Sequence, residues 1–187
     1  MAIVGSVSAT ASPGSATGSL SDVVHAVRGV TAQDGNWELT SRLAAEQLRR
    51  HLPGPEILTG DQREGDPAGY LSHLLHTEPD GSFSIVAMVW LPGQVTPVHD
   101  HVTWCVFGVL QGAEHEELFA LADNGGRLVR VGSAENQTGQ VSGFAPPGDI
   151  HRVRNIGRGV TISLHIYGAD ISRLGCSIRR EYDLPIS

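Results

Sequence analysis

The stretch "GYLSHLLHTEPDGSFSIVAMVWLPG", Gly69 to Gly93, sets the fold class. Its two halves are short and apolar, and Glu78-Pro79-Asp80-Gly81-Ser82 between them turns a chain rather than extends one. The reading is two strands joined by a turn. Downstream, "HEELFALADNGGRLVRVGSAENQTGQVSGFAPPGDIHRVRNIGRGVTISLHIYG" (His115 to Gly168) continues as short strands broken at NGG, PPGD and GRG. Many short strands with turn signals at this spacing make a β-sandwich or small barrel.

Upstream the texture is helical. "SDVVHAVRG" offers Ser21 as an N-cap and Gly29 as a stop. "WELTSRLAAEQLRRHLPG" carries Leu39, Leu43, Ala44, Leu48 and Leu52 at helical spacing and ends on Pro53-Gly54. The expected architecture is mainly β, with a helical segment over about 19–55 capping a barrel, all within one domain from 19 to 187. Residues 1–18 are rich in Ser, Ala and Gly and read as a disordered leader without the basic and apolar regions of a secretory signal.

At 187 residues, 40% hydrophobic and 18% charged, the chain has the composition of a globular protein with a real core. A net charge of -7 argues against a nucleic-acid or anionic-membrane partner, since both need a basic face. No apolar run approaches the roughly 18 residues that span a bilayer. Cys105 and Cys176, far apart in the chain, suggest reduced thiols and a cytoplasmic protein rather than a disulfide scaffold.

The candidate chemistry lies in "PVHDHVTWCVFGVLQG", Pro97 to Gly112. Residues i and i+2 of a strand share a face, so His99 and His101 can bind one metal; a polar strand end is the plainer alternative. His151 starts a strand after the Pro-Pro-Gly-Asp turn, and the hairpins between it and the HxH pair allow a barrel to bring all three together. In "TISLHIYG", Ser163, His165 and Tyr167 alternate, while Ile162, Leu164 and Ile166 point the other way. That strand is either a solvated outer face or a hydrogen-bonded relay beside a metal. His25, His51, His76 and His115 lack such company and read as surface or structural residues.

Together these residues resemble the cupin superfamily, specifically thiol dioxygenases of the cysteine dioxygenase and 3-mercaptopropionate dioxygenase type. "GQVTPVHDHVTWCVFGVLQG" (Gly93 to Gly112) is similar to the first cupin motif and "GQVSGFAPPGDIHRVRN" (Gly139 to Asn155) to the second. No carboxylate stands at Val102 to Val106, where typical cupins carry a glutamate ligand, and this family manages without one. The resemblance spans roughly residues 66 to 170 and implies a double-stranded β-helix (jelly-roll) barrel. It implies Fe(II) on His99, His101 and His151, with Tyr167 as the active-site phenol and His165 and Ser163 behind it. The implied reaction adds both atoms of O2 to the sulfur of a small thiol or thione, giving a sulfinate. Three neutral imidazoles leave the metal its full charge, which favours a substrate thiolate. In animal relatives a cysteine near the HxH motif is crosslinked to the tyrosine, and Cys105 falls at the matching place for a thioether with Tyr167.

The resemblance breaks at the substrate anchor. Cysteine dioxygenases use a Tyr-x-Arg strand; here Tyr70 is followed by Ser72, which cannot make arginine's bidentate pair with a carboxylate. Either another cation, Arg173, Arg179 or Arg180, reaches the site, or the substrate is bulkier than cysteine, with ergothioneine and 3-mercaptopropionate as candidates. A non-catalytic metal-binding cupin sensor and a cupin enzyme of another reaction class, such as an isomerase or carbon-cleaving dioxygenase, are the competing readings. The protein is expected to act as a monomer or homodimer.

Overall fold

The computed structural model describes residues 18–122 and 125–187. Residues 1–17 of the expected leader lie outside the described residues, and Gly18 bridges to Pro53. Among the described residues ten strands form two antiparallel sheets of five, the mainly β barrel expected of a cupin. The first sheet has the order β1 (Leu71–Thr77), β2 (Ser84–Trp90), β9 (Thr161–Tyr167), β4 (Cys105–Gln111), β7 (Val141–Phe144). The second has the order β10 (Ile178–Glu181), β3 (His99–His101), β8 (His151–Asn155), β5 (Ala113–Leu121), β6 (Leu128–Gln137). β1 and β2 pair around the Glu78–Ser82 turn, where Gly81 takes a positive φ of 75° that other residues adopt reluctantly.

Among the described residues two α-helices precede the barrel. α1 (Leu20–Thr31) begins at Ser19, not Ser21, because Ser19 and Asp22 form a reciprocal capping box. Nor does Gly29 end it: the glycine is exposed in the last turns, where it costs only about 1 kcal/mol and the helix runs on. α2 (Trp37–Arg50) is capped by Asn36, whose side chain accepts from the Leu39 N–H at 2.9 Å.

These helices explain a strand that is buried on both faces. Ile162, Leu164 and Ile166 of β9 join Ile85, Ala87, Val89 and Val106 in a core with Val23, Val27, Ala44 and Leu48 of the helices. The face turned away from the barrel interior is therefore dry, and each such aliphatic side chain contributes roughly 1.5–3 kcal/mol. The close approach has a sequence requirement on β4: a Cβ at Gly108 would sit 2.6 Å from Leu52 Cδ1. At the barrel's other edge, Asp100 is paired with Arg179 and accepts from Tyr182 Oη at 2.8 Å, tying β10 to β3.

Candidate active site

Strand alternation sends His99 and His101 of β3 to the barrel interior and turns Asp100 between them toward Arg179. His99 and His151 are direct register partners across β3 and β8. The three imidazoles close into a triangle, with ring centroids 4.7 Å apart for His99–His151, 4.8 Å for His99–His101 and 5.0 Å for His101–His151. One ring nitrogen from each lies within 4.8 Å of the others, and all three residues are buried.

Each ring is fixed from behind through Nδ1. His99 Nδ1 donates to the Pro97 carbonyl at 3.0 Å, His101 Nδ1 to Asp149 Oδ2 at 3.1 Å, and His151 Nδ1 to Glu116 Oε1 at 2.7 Å. Nε2 is thereby left as the free lone pair of each ring, the tautomer a metal ligand needs. Burial, reinforced by the His151 and His101 rings, holds His99 down to about 3, so it is neutral at ordinary pH. His101 is also lowered, mainly by burial. Burial pushes Asp149 upward, but bonds from the His101 ring and backbone N–H outweigh it and keep this carboxylate ionised. Both nearby carboxylates are committed to imidazole N–H groups. A donor set of three imidazoles, each with Nδ1 bonded elsewhere, fits a divalent transition metal with coordination positions left over.

The first sheet supplies the opposite wall. Tyr167 Oη lies 3.3 Å from His165 Nδ1, and His165 Nε2 lies 2.9 Å from Ser163 Oγ, so the Ser-x-His-x-Tyr strand forms one buried chain. Trp90 Nε1 donates to Ser163 Oγ at 3.3 Å. Burial, with the like-charged metal-site histidines, brings His165 to about 3, and burial raises Tyr167 well above the ordinary phenol. The phenol thus keeps its proton. Cys105 faces Tyr167 across β4 and β9 as its register partner and is a free, buried thiol. Phe144 packs 4.9 Å from both His101 and His151.

The cavity between the walls is lined by these groups and by Tyr70, Ser72, Val86, Met88 and Trp90. Tyr70 packs on Trp90 with centroids 4.6 Å apart and the rings tilted by 35°, and Ser72 is exposed at the rim. Among the described residues no arginine or lysine lines the cavity. The structure does not bring Arg173 there: it is exposed on the one-turn helix α3 (Ile171–Leu174), with its N–H on the Asp170 cap. Arg179 is spent on Asp100, and Arg180 lies over the Tyr182 ring. His25, His51, His73, His76 and His115 do not line the cavity.

Asp149, Glu116, the Pro97 carbonyl and Trp90 went unread in the sequence. Asp149 had a signal in its place two residues before His151, whereas Glu116 is hidden in the charged run "EHEE", which looks like a solvated face.

The cysteine dioxygenase type I family model matches residues 64–176, well over half of the 187 residues and inclusive of every site group above. The chain belongs to this family. The family is one of cupin-fold, iron-dependent thiol dioxygenases, oxidoreductases whose product is a sulfinate. Solved structures similar to this family member include an oxalate oxidase in complex with glycolate, 18% identical over 61% of this chain and 60% of that one, with a TM-score of 0.46. An RmlC-like cupin protein from Desulfovibrio desulfuricans is 20% identical over 56% of this chain and 88% of its own, with a TM-score of 0.42. The protein TT1209 from Thermus thermophilus is 21% identical over 61% and 97%, with a TM-score of 0.44. The matched region therefore spans less than two thirds of the oxalate oxidase chain. No described helix is long and apolar enough to cross a membrane.

Proposed function

We propose that His99, His101 and His151 hold Fe(II) and that the protein dioxygenates a small thiol or thione other than cysteine. The observation carrying the reading is the set of three buried histidines, each with Nδ1 bonded elsewhere and, among the described residues, with no carboxylate grouped with them. Iron bound there would supply a site for the substrate sulfur and for O2. The rest is done by the chain. Tyr167, protonated and backed by neutral His165 and Ser163, offers a hydrogen bond to whatever occupies the cavity. Val86, Met88, Trp90 and Phe144 keep the space apolar and exclude water.

Among the described residues the lining offers no arginine to clamp a substrate carboxylate, so the anchor of a cysteine enzyme is missing. Ser72, exposed at the rim beside Tyr70, leaves room where a cysteine enzyme carries a guanidinium. A bulky thiol or thione such as ergothioneine fits this chemistry better than cysteine, with 3-mercaptopropionate as the smaller candidate. O2 consumption by the iron-loaded protein over cysteine, 3-mercaptopropionate, cysteamine, mercaptosuccinate and ergothioneine tests it, with the sulfinate identified by mass. Uptake highest with cysteine would overturn the substrate reading, and no uptake with any thiol would overturn the activity.

We extend the reading to a thioether between Cys105 Sγ and the Tyr167 ring. Their pairing across β4 and β9 puts the two side chains opposite one another. Forming the C–S bond removes one hydrogen from each residue, with O2 as the oxidant at the loaded iron. A loss of two hydrogens in the intact mass after turnover, absent in Cys105→Ser, is the expected result. We read residues 19–187 as one working domain, a monomer or homodimer in a reducing cytoplasm, with no nucleic-acid partner.

A further inference from the structure

The strand that carries two of the three histidines has little support from its neighbour β8. β3 is three residues long, and among them His99 alone has a register partner on β8, namely His151. Its other edge is covered by β10, where Ile178 pairs with His101, Arg180 with Asp100 and Glu181 with His99. Most of the ladder that fixes β3 thus comes from β10, a strand at the edge of the sheet. The family match stops at residue 176, so β10 and the residues after it lie beyond the matched span.

The pairing of β10 with β3 is irregular in a way that serves Asp100. Between two successive pairs the ladder moves one residue along β3, from His101 to Asp100, but two along β10, from Ile178 to Arg180. Arg179 is the extra residue, and a bulge of this kind re-aims the side chain it carries. The Arg179 guanidinium is turned onto Asp100 Oδ2, where Tyr182 Oη also donates at 2.8 Å. Asp100 is 2% exposed, and a carboxylate buried to that extent holds its place only while it is paired. Asp149 holds His101 from the barrel side, whereas both bonds to the Asp100 side chain come from β10 and the residue that follows it.

β10 is itself anchored by the chain after it. The Tyr182 N–H donates to the Val98 carbonyl at 2.8 Å, and the Leu128 N–H donates to the Pro185 carbonyl at 2.8 Å. Tyr182 and Leu184 pack against Val98, Phe119, Leu128 and Ile150. Val98 and Ile150 immediately precede His99 and His151, so one apolar cluster backs a ligand on each of the two strands.

We propose that Arg179, Asp100 and Tyr182 are positioning residues that set the metal affinity of the three-histidine site by fixing β3 against β10. None of the three lines the cavity, so they act through the backbone of His99 and His101. Metal–imidazole bonds of about 2.0–2.1 Å tolerate errors of only about 0.2 Å, a tolerance that a three-residue strand free to tilt would exceed. The bonds behind Nδ1 orient each ring, and the Arg179 bulge holds the strand from which two of the rings project.

The inference rests on the reading of His99, His101 and His151 as metal ligands, and its test needs no turnover. Cobalt(II) is the probe, and its affinity for the full chain is measured in competition with a chelator. Arg179→Met is expected to bind cobalt about tenfold more weakly, the lower end of what losing an outer partner costs a metal site. Arg179→Lys keeps the charge without the planar fork and should fall between the two. Arg28→Met is the control for stability alone: it removes a half-exposed arginine from buried Glu78, at α1 and away from the histidines. That variant should melt at a lower temperature and keep its cobalt affinity. Wild-type affinity in Arg179→Met, or an equal loss in Arg28→Met, would overturn the proposal. Should Arg179→Met fail to fold, Tyr182→Phe removes one hydroxyl and is expected to show a smaller loss in the same direction; an unchanged affinity there would overturn it too. Cobalt bound no more tightly by the wild type than by His99→Ala would instead overturn the metal reading itself.

Discussion

The two inner walls of the barrel use histidine in opposite ways. On the second sheet, His99, His101 and His151 each have an acceptor behind Nδ1, so their tautomers are fixed and their lone pairs all point to one place. On the first sheet, His165 lies between two hydroxyls, Tyr167 and Ser163, each able to donate or accept. A carbonyl or carboxylate dictates the polarity of its hydrogen bond; a hydroxyl only passes it on. One wall is thus built to hold a charge, and the other leaves the direction of its hydrogen bonds open. Equal burial gives different chemistry because the partner of the second nitrogen differs.

Breaking the holding wall has the largest expected effect. His99→Ala removes one of the three proposed ligands, and iron retention and turnover should both be lost; metal content by mass spectrometry after desalting decides it, with stoichiometric iron counting against the assignment. The next effect concerns stability and a buried carboxyl on β5, the strand that carries Glu116. Glu114 is ordinary in the unfolded chain, at 4.5, and about 7 in the fold, so between those values the unfolded state ionises while the folded state keeps its proton. Stability from this group falls as pH rises through that window and stays reduced above it, by on the order of 3 kcal/mol. Urea denaturation of the wild type and Glu114→Gln at several pH values should show the two diverging over that interval.

Loosening the holding wall without removing a ligand sharpens the contrast. Glu116→Ala frees His151 Nδ1 and should weaken metal affinity by about 10–100-fold while leaving the three histidines in place; competition with a chelator measures it. The smallest effect is expected at the rim. Ser72→Arg supplies a cation beside Tyr70 and should raise kcat/KM for cysteine relative to bulkier thiols by roughly tenfold, the contribution of a single exposed charge-assisted pair. An unchanged ratio would show that this edge of the cavity does not touch the substrate.

Much of this was legible in the chain. Turn residues around short apolar runs determined the mainly β architecture and its N-terminal helices, because turns and strand period are local properties. The same period of two, read from the residues alone, grouped His99 with His101, and Ser163 with His165 and Tyr167. Local capping went partly astray: Ser19 rather than Ser21 starts α1, since only the structure shows which serine reaches the Asp22 N–H.

What tertiary structure alone decided lies across the gap between the sheets and beneath the helices. Strand period says which residues share a face but not what stands opposite them. Hence Asp149 and Glu116 behind the histidines, the dry face of β9 under α1 and α2, and the exclusion of Arg173 from the cavity could not be read from spacing. Glu114 is the sharpest case. In "AEHEELF" it is one acid among several, and only the closure of the barrel, which removes it from water, makes it different from Glu117 beside Arg152 at the surface.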